Sequence, residues 1–195
     1  KQPYIYGRYG IFLAEIASTF NEALLNDYLM KTLEDENLKK YILNHQIDGF
    51  KATLFRQTMF AEFERDIHKI VEEGVSLTSE LLNKKYRELN EKYFGPDVIL
   101  DEDIDFEWSR IPHFYYNFYV FQYATGISAS TSFAKRVLDG EEGAVEDYLG
   151  FLSAGCSKYP MDVLKDAGLD MTDPQAIKSA LEYFTSLVDE FDKLV

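Results

Sequence analysis

Two groups of residues have types and spacings that could do chemistry. The first lies in Ala14-Glu15-Ile16-Ala17-Ser18-Thr19-Phe20-Asn21-Glu22. Glu15 and Glu22 are two helical turns apart, so both carboxylates leave the same face of a helix, with Ser18 and Thr19 between them. Phe12 and Phe20 suggest a buried setting, and a carboxylate there calls for a metal, a His or an Arg as partner. The bland alternative is an exposed acidic pair, which is common on helices. The second group is Arg110-Ile111-Pro112-His113-Phe114-Tyr115-Tyr116-Asn117-Phe118-Tyr119-Val120-Phe121-Gln122-Tyr123. Wound as a helix, it lines up His113, Tyr116, Tyr119 (or Val120) and Tyr123 on one stripe. Imidazole and phenol donors on one wall can stabilise an oxyanion forming on a peptide carbonyl. An aromatic core with satisfied hydroxyls would give the same pattern.

The other histidines carry less. His45 and His68 sit on polar stretches far apart in sequence, and Glu64-Arg65-Asp66-Ile67-His68 does not have the order of an HExxH motif. No GxGxxG, phosphate loop or GxSxG occurs. The three histidines cannot by themselves make a catalytic zinc site of known spacing.

The elements that must position these groups read as helices almost throughout. Apolar periodicity predicts a helix over about residues 9–29, with Ile11, Phe12, Ile16, Thr19, Phe20, Ala23 and Leu24 on its main face. A second helical run covers 36–73, broken or bent near Asp48-Gly49. Thr78 or Ser79 caps a third helix that stops at Phe94 before Gly95-Pro96. Residues 96–110, with acids from Asp101 to Asp105, read as a loop, and 112–138 as one continuous helix. Short helices follow at about 143–153 and after the turn at 155–160, with Pro160 in the first turn of the second. Asp173 and Pro174 then open the last helix. No βαβ alternation, repeat or low-complexity tract appears, so the expected class is all-α, a single helical domain over 1–195.

Composition narrows the function. The net charge of -14 argues against nucleic-acid phosphate and anionic lipid as partners. It suits a dispersed cytoplasmic protein. Cys156 is the lone cysteine, which leaves no disulfide framework or Cys-based metal site. No signal peptide is visible. Residues 111–134 lack Asp, Glu, Lys and Arg over a membrane-spanning length, yet Pro112, His113, Asn117, Gln122 and Gly126 make them too polar for lipid. A buried helix lining a cavity is the expectation.

Five segments, in order, resemble the C-terminal half of oligoendopeptidase F, a relative of thimet oligopeptidase. They are Gln2-Pro3-Tyr4, the run from Ile11 to Glu22, the run from Phe55 to Glu64, Pro112-His113-Phe114-Tyr115-Tyr116, and Phe151-Leu152-Ser153-Ala154-Gly155 with Pro160 after it. The turn motif of that family commonly has a second Gly where this chain has Cys156. The resemblance implies a helical zinc metallopeptidase that cleaves oligopeptides in a deep channel. It implies that Glu15 is the third zinc ligand and that Glu22 supports a zinc-bound His. It also implies that His113 with Tyr119, Tyr123 or Tyr116 reaches the substrate carbonyl.

On this reading the HExxH segment lies upstream of Lys1, and the chain is a multi-helix fragment of the catalytic lobe. Alone it is expected to be inactive and to bind zinc weakly or not at all. The expected partners are an oligopeptide substrate, the missing upstream part of the same protein, and a second copy docking through the exposed cut face. The rival is a non-catalytic helical peptide-binding module that has lost the HExxH segment.

Overall fold

Local capping chemistry sets several helix boundaries in the computed structural model, which describes residues 2–194. The described residues form eight α-helices and no strand. They are α1 (Ile11–Thr32), α2 (Glu36–Phe50), α3 (Arg56–Glu72), α4 (Ser79–Phe94), α5 (Phe121–Leu138), α6 (Ala144–Ala154), α7 (Pro160–Asp166) and α8 (Gln175–Leu194). Asp35 caps α2 by accepting from the backbone N–H groups of Asn37 and Leu38. Thr78 caps α4 through Leu81 N–H, and Gly95 ends that helix in a positive-φ conformation. Asp173 accepts from Gln175 N–H at 2.9 Å and opens α8. Asp48-Gly49 does not break the second run. The chain stays helical through Gly49 and widens into a π-helical turn over Lys51–Phe55 before α3.

Contacts divide the chain into two compact units, Lys1–Lys51 with Thr125–Val195, and Ala52–Ala124. In the first unit, α1 buries Leu13, Ile16 and Phe20 at helical spacing. Phe20 stacks on Tyr148 at 3.7 Å between ring centroids, and Tyr148 in turn meets Phe133 and Phe151. α2 packs along α8, where Phe50 meets Tyr183 and Phe184 and the Tyr183 hydroxyl donates to Gln46 at 3.0 Å.

Only the second part of the charge-free stretch, from Phe121 on, lies in a buried helix, α5. Residues Gly126 to Ala134 are all buried, and the Ser130 and Thr131 hydroxyls return to the Ile127 carbonyl at 3.0 and 2.7 Å. Thr131 and Ala134 line a cavity with Ala23, Asp27 and Tyr183. No described helix is long and apolar enough to cross a membrane.

The turn after α6 depends on a close approach. Gly155 has φ 55°, and a Cβ there would lie 2.1 Å from the Tyr6 carbonyl oxygen. The same oxygen accepts the Cys156 N–H at 2.9 Å. Cys156 is not among the positive-φ residues, so the position that requires glycine is 155 and not 156. Gly155→Ala must therefore push a new Cβ against the Tyr6 backbone, in a positive-φ conformation that side chains rarely adopt. A loss of about 3 kcal/mol in thermal or urea unfolding is expected, with Cys156→Gly close to neutral.

The second unit corrects two boundaries. Residues 96–110 are not all loop, because a 3-10 helix covers Glu102–Arg110. Such helices are usually short, and this one is held by tertiary partners. Arg87 pairs with Asp105 and donates to the Leu100 and Asp101 carbonyls, and Trp108 donates to Asn83 at 2.8 Å. The predicted helix over 112–138 is also interrupted. A 3-10 turn spans Pro112–Tyr115, Phe118 takes φ 55°, and α5 starts only at Phe121. A left-handed residue cannot continue a right-handed helix.

Glu107 ties this unit together. Its carboxylate accepts from the fully buried Tyr86 hydroxyl at 2.6 Å and pairs with Arg56 and Arg110. Burial pushes its pKa up, but the Tyr86 hydrogen bond and the two guanidiniums outweigh that, and the net direction is below 4.5. A depressed carboxylate contributes stability above its ordinary pKa and loses it as pH falls through the folded value. Glu107→Gln should therefore cost about 2 kcal/mol at neutral pH and progressively less below about pH 4.5. Urea titrations of both proteins across that range read the convergence directly.

Candidate active site

The candidate residues fall in both units. Glu15 and Glu22 leave α1 on the face opposite Leu13, Ile16 and Phe20, and both are exposed. The buried setting expected from Phe12 and Phe20 is thus not found, since Phe20 turns into the core and Glu15 turns away from it. Glu15 keeps local company only. Ser18 Oγ donates to its carboxylate at 3.1 Å, and Thr19 Oγ1 donates to its carbonyl at 2.6 Å. Among the described residues no group of three or more His, Cys, Asp and Glu side chains could hold a metal ion. His45 and His68 join no such group.

In the second unit the structure gathers His113, Tyr119 and Tyr123, though not by helical spacing. The chain leaves the 3-10 turn at Tyr115, reverses through Phe118, and brings Tyr119 back onto His113. The two rings stack with centroids 5.3 Å apart and planes 8° apart. Tyr123 meets His113 edge-on, with its hydroxyl 3.2 Å from Nε2, and packs against Tyr119 at 5.6 Å. Tyr116 is peripheral, 6.4 Å from Tyr119 and 66% exposed. The continuous stripe expected of His113, Tyr116, Tyr119 and Tyr123 is therefore replaced by a folded-back triad of one imidazole and two phenols.

Glu64 was missed by the sequence reading. It is 2% exposed, and its Oε1 accepts the Phe118 N–H at 2.7 Å. Burial raises its pKa, and the hydrogen bond from Phe118 offsets that only in part. One signal was present in the sequence. Glu64 falls one turn after Phe60 and next to Phe63, on the apolar face of α3, where a carboxylate needs a partner.

A family profile decides the identity: that of peptidase family M3 matches residues 1–183. The chain belongs to that family. Among M3 relatives it is 55% identical over 194 residues to oligopeptidase PepF of Bacillus subtilis (strain 168), covering 100% of this chain and 29% of that protein. It is 51% identical over 195 residues to the chromosomal oligoendopeptidase F of Lactococcus lactis subsp. cremoris, covering 100% of this chain and 32% of that protein. The crystal structure of oligoendopeptidase-F from Enterococcus faecium superposes with a TM-score of 0.91 at 54% identity, over 95% of this chain and 36% of that one. A crystal structure of a peptidase described as putative from Chlamydophila abortus gives 0.94 at 44% identity, over 100% and 33%. The M3 chain described here thus spans about a third of the length of its relatives.

Proposed function

We propose that this chain is part of a zinc-dependent oligopeptidase that hydrolyses peptide bonds in short peptides. The observation that carries the reading is the His113–Tyr119–Tyr123 triad, found in a chain of an M3 peptidase family. Its donors are pre-assembled, and preorganised donors are what a developing oxyanion requires. With its proton on Nε2, His113 donates to Tyr123 Oη, and the phenol keeps its own proton for the substrate oxygen. Tyr119, stacked on the imidazole, fixes the ring plane and adds a second phenol. Tyr116, exposed beside them, is the outer member of the same wall.

The donor set suits zinc only in part. Glu15 offers one oxygen ligand, and no cluster of three donors accompanies it among the described residues. The remaining ligands and the general base therefore belong to the longer protein, as the HExxH arrangement of the family implies, and Glu22 would brace one of those histidines. Zinc, when bound, polarises the scissile carbonyl and makes a water acidic enough to attack it.

Several exposed apolar side chains fit a surface covered by that upstream part or by a second copy. Ile11, Leu25 and Tyr28 lie exposed on α1, with Tyr4, Ile5 and Tyr9 just before it. The acidic balance and single cysteine support a cytoplasmic location.

The test is zinc stoichiometry together with cleavage of a fluorogenic oligopeptide, on this chain and on the chain extended through an HExxH segment. Zinc and cleavage only in the extended form support the reading. Peptide binding without cleavage in both forms would select the non-catalytic module instead.

A further inference from the structure

We propose that Glu64 is a positioning residue for the oxyanion-stabilising triad, acting through the backbone N–H of Phe118. The inference rests on the assignment of His113, Tyr119 and Tyr123 given above, and its geometry stands independently of that assignment. Phe118 is the one non-glycine residue with positive φ among the described residues. That conformation is unfavourable for a side chain of its size, and it persists only when the surroundings over-determine it.

The surroundings here are two side chains one turn apart on α3. Glu64, buried, accepts the Phe118 N–H at 2.7 Å. His68 lays its ring against the Phe118 ring, with centroids 4.6 Å apart, while its Nδ1 sits 2.8 Å from the Glu64 carbonyl oxygen. Backbone and side chain of the strained residue are thus both gripped from α3. The next residue is Tyr119, whose ring must turn back to cover His113. If Phe118 relaxes to a negative φ, the chain no longer reverses there, and Tyr119 and Tyr123 leave the imidazole.

Three substitutions of Glu64 separate hydrogen-bond reach from charge. Glu64→Gln keeps a carbonyl acceptor at the same length without the charge. Glu64→Asp keeps the charge but withdraws it by one methylene. Glu64→Leu fills the space and removes the acceptor.

Two readouts test it. In this chain, the His113 ring protons should be shifted upfield by the stacked Tyr119, and NMR should show that shift kept in Glu64→Gln and lost in Glu64→Leu and Glu64→Asp. In the longer enzyme, the same two variants should lose kcat by about 10²-fold, the scale of a small misplacement of reacting groups, with KM little changed, and Glu64→Gln should stay near the parent. If circular dichroism shows Glu64→Leu unfolded, Glu64→Asp carries the test alone.

Retention of the His113 shift in Glu64→Asp and Glu64→Leu would overturn the positioning role. So would a Glu64→Gln enzyme as impaired as Glu64→Leu. Loss of the shift with unchanged kcat would overturn the link from turn to reaction. Normal turnover of Tyr123→Phe is the distinct result that defeats the oxyanion assignment itself.

Discussion

In the longer enzyme, Glu15→Gln should release zinc and remove nearly all turnover. The amide keeps the volume and the Ser18 contact of the exposed side chain, so the fold of α1 should not change. What it lacks is the charge that makes a carboxylate a zinc ligand. Zinc supplies several kcal/mol of charge stabilisation, so its loss corresponds to a fall on the order of 10³-fold or more in kcat/KM. Metal analysis after dialysis, beside peptide cleavage, reads both effects. Glu22→Gln should do less, about 10- to 100-fold in metal affinity, as expected of a group that only braces a ligand. Normal zinc content and turnover in Glu15→Gln would sink the ligand assignment.

Tyr123→Phe should show the opposite separation, with zinc retained and turnover lost. The substitution removes the hydroxyl that meets His113 Nε2 at 3.2 Å and leaves the ring in place against Tyr119. Removing one donor of an oxyanion site costs about 10²- to 10³-fold in kcat. KM should change little, because the lost interaction belongs to the transition state. His113→Ala should be at least as severe, since it also removes the surface on which Tyr119 stacks. Tyr116→Phe, at the exposed edge, should be the mildest of the series.

Helix ends governed by nearby residues were readable. Thr78, Gly95 and Asp173 act within three residues of themselves, and such chemistry is written in the local sequence. The all-α class was readable for a similar reason, because periodic apolar residues recur from α1 to α8.

The 3-10 helix at Glu102–Arg110 was not readable, because Arg87 and Asn83 of α4 shape it from a distance. The break inside the predicted 112–138 helix was hidden more deeply. Asn117 is a turn-prone residue there, but the left-handed one is its neighbour Phe118, which has no local reason to adopt that conformation. Its cause is a carboxylate on α3, 54 positions earlier. The members of the triad were legible as residue types at suggestive spacings, but the folding back that gathers them was not.

The way the two units are cut from the chain bears on how the molecule is made. Ala52–Ala124 is one uninterrupted stretch, whereas the other unit joins Lys1–Lys51 to Thr125–Val195. As the chain emerges from a ribosome at about 5–20 residues per second, α1 and α2 must wait several seconds for α5 to α8 before their apolar faces are covered. The inserted stretch is under no such delay, and its contacts close shorter loops. In refolding, pulse-labelled hydrogen exchange should therefore find α3 and α4 protected before α1. The Tyr6–Cys156 hydrogen bond, which joins the two stretches of the discontinuous unit, should be among the last contacts to form. The segment around Tyr6 would then act as a seal on the helices of this unit rather than a seed for them.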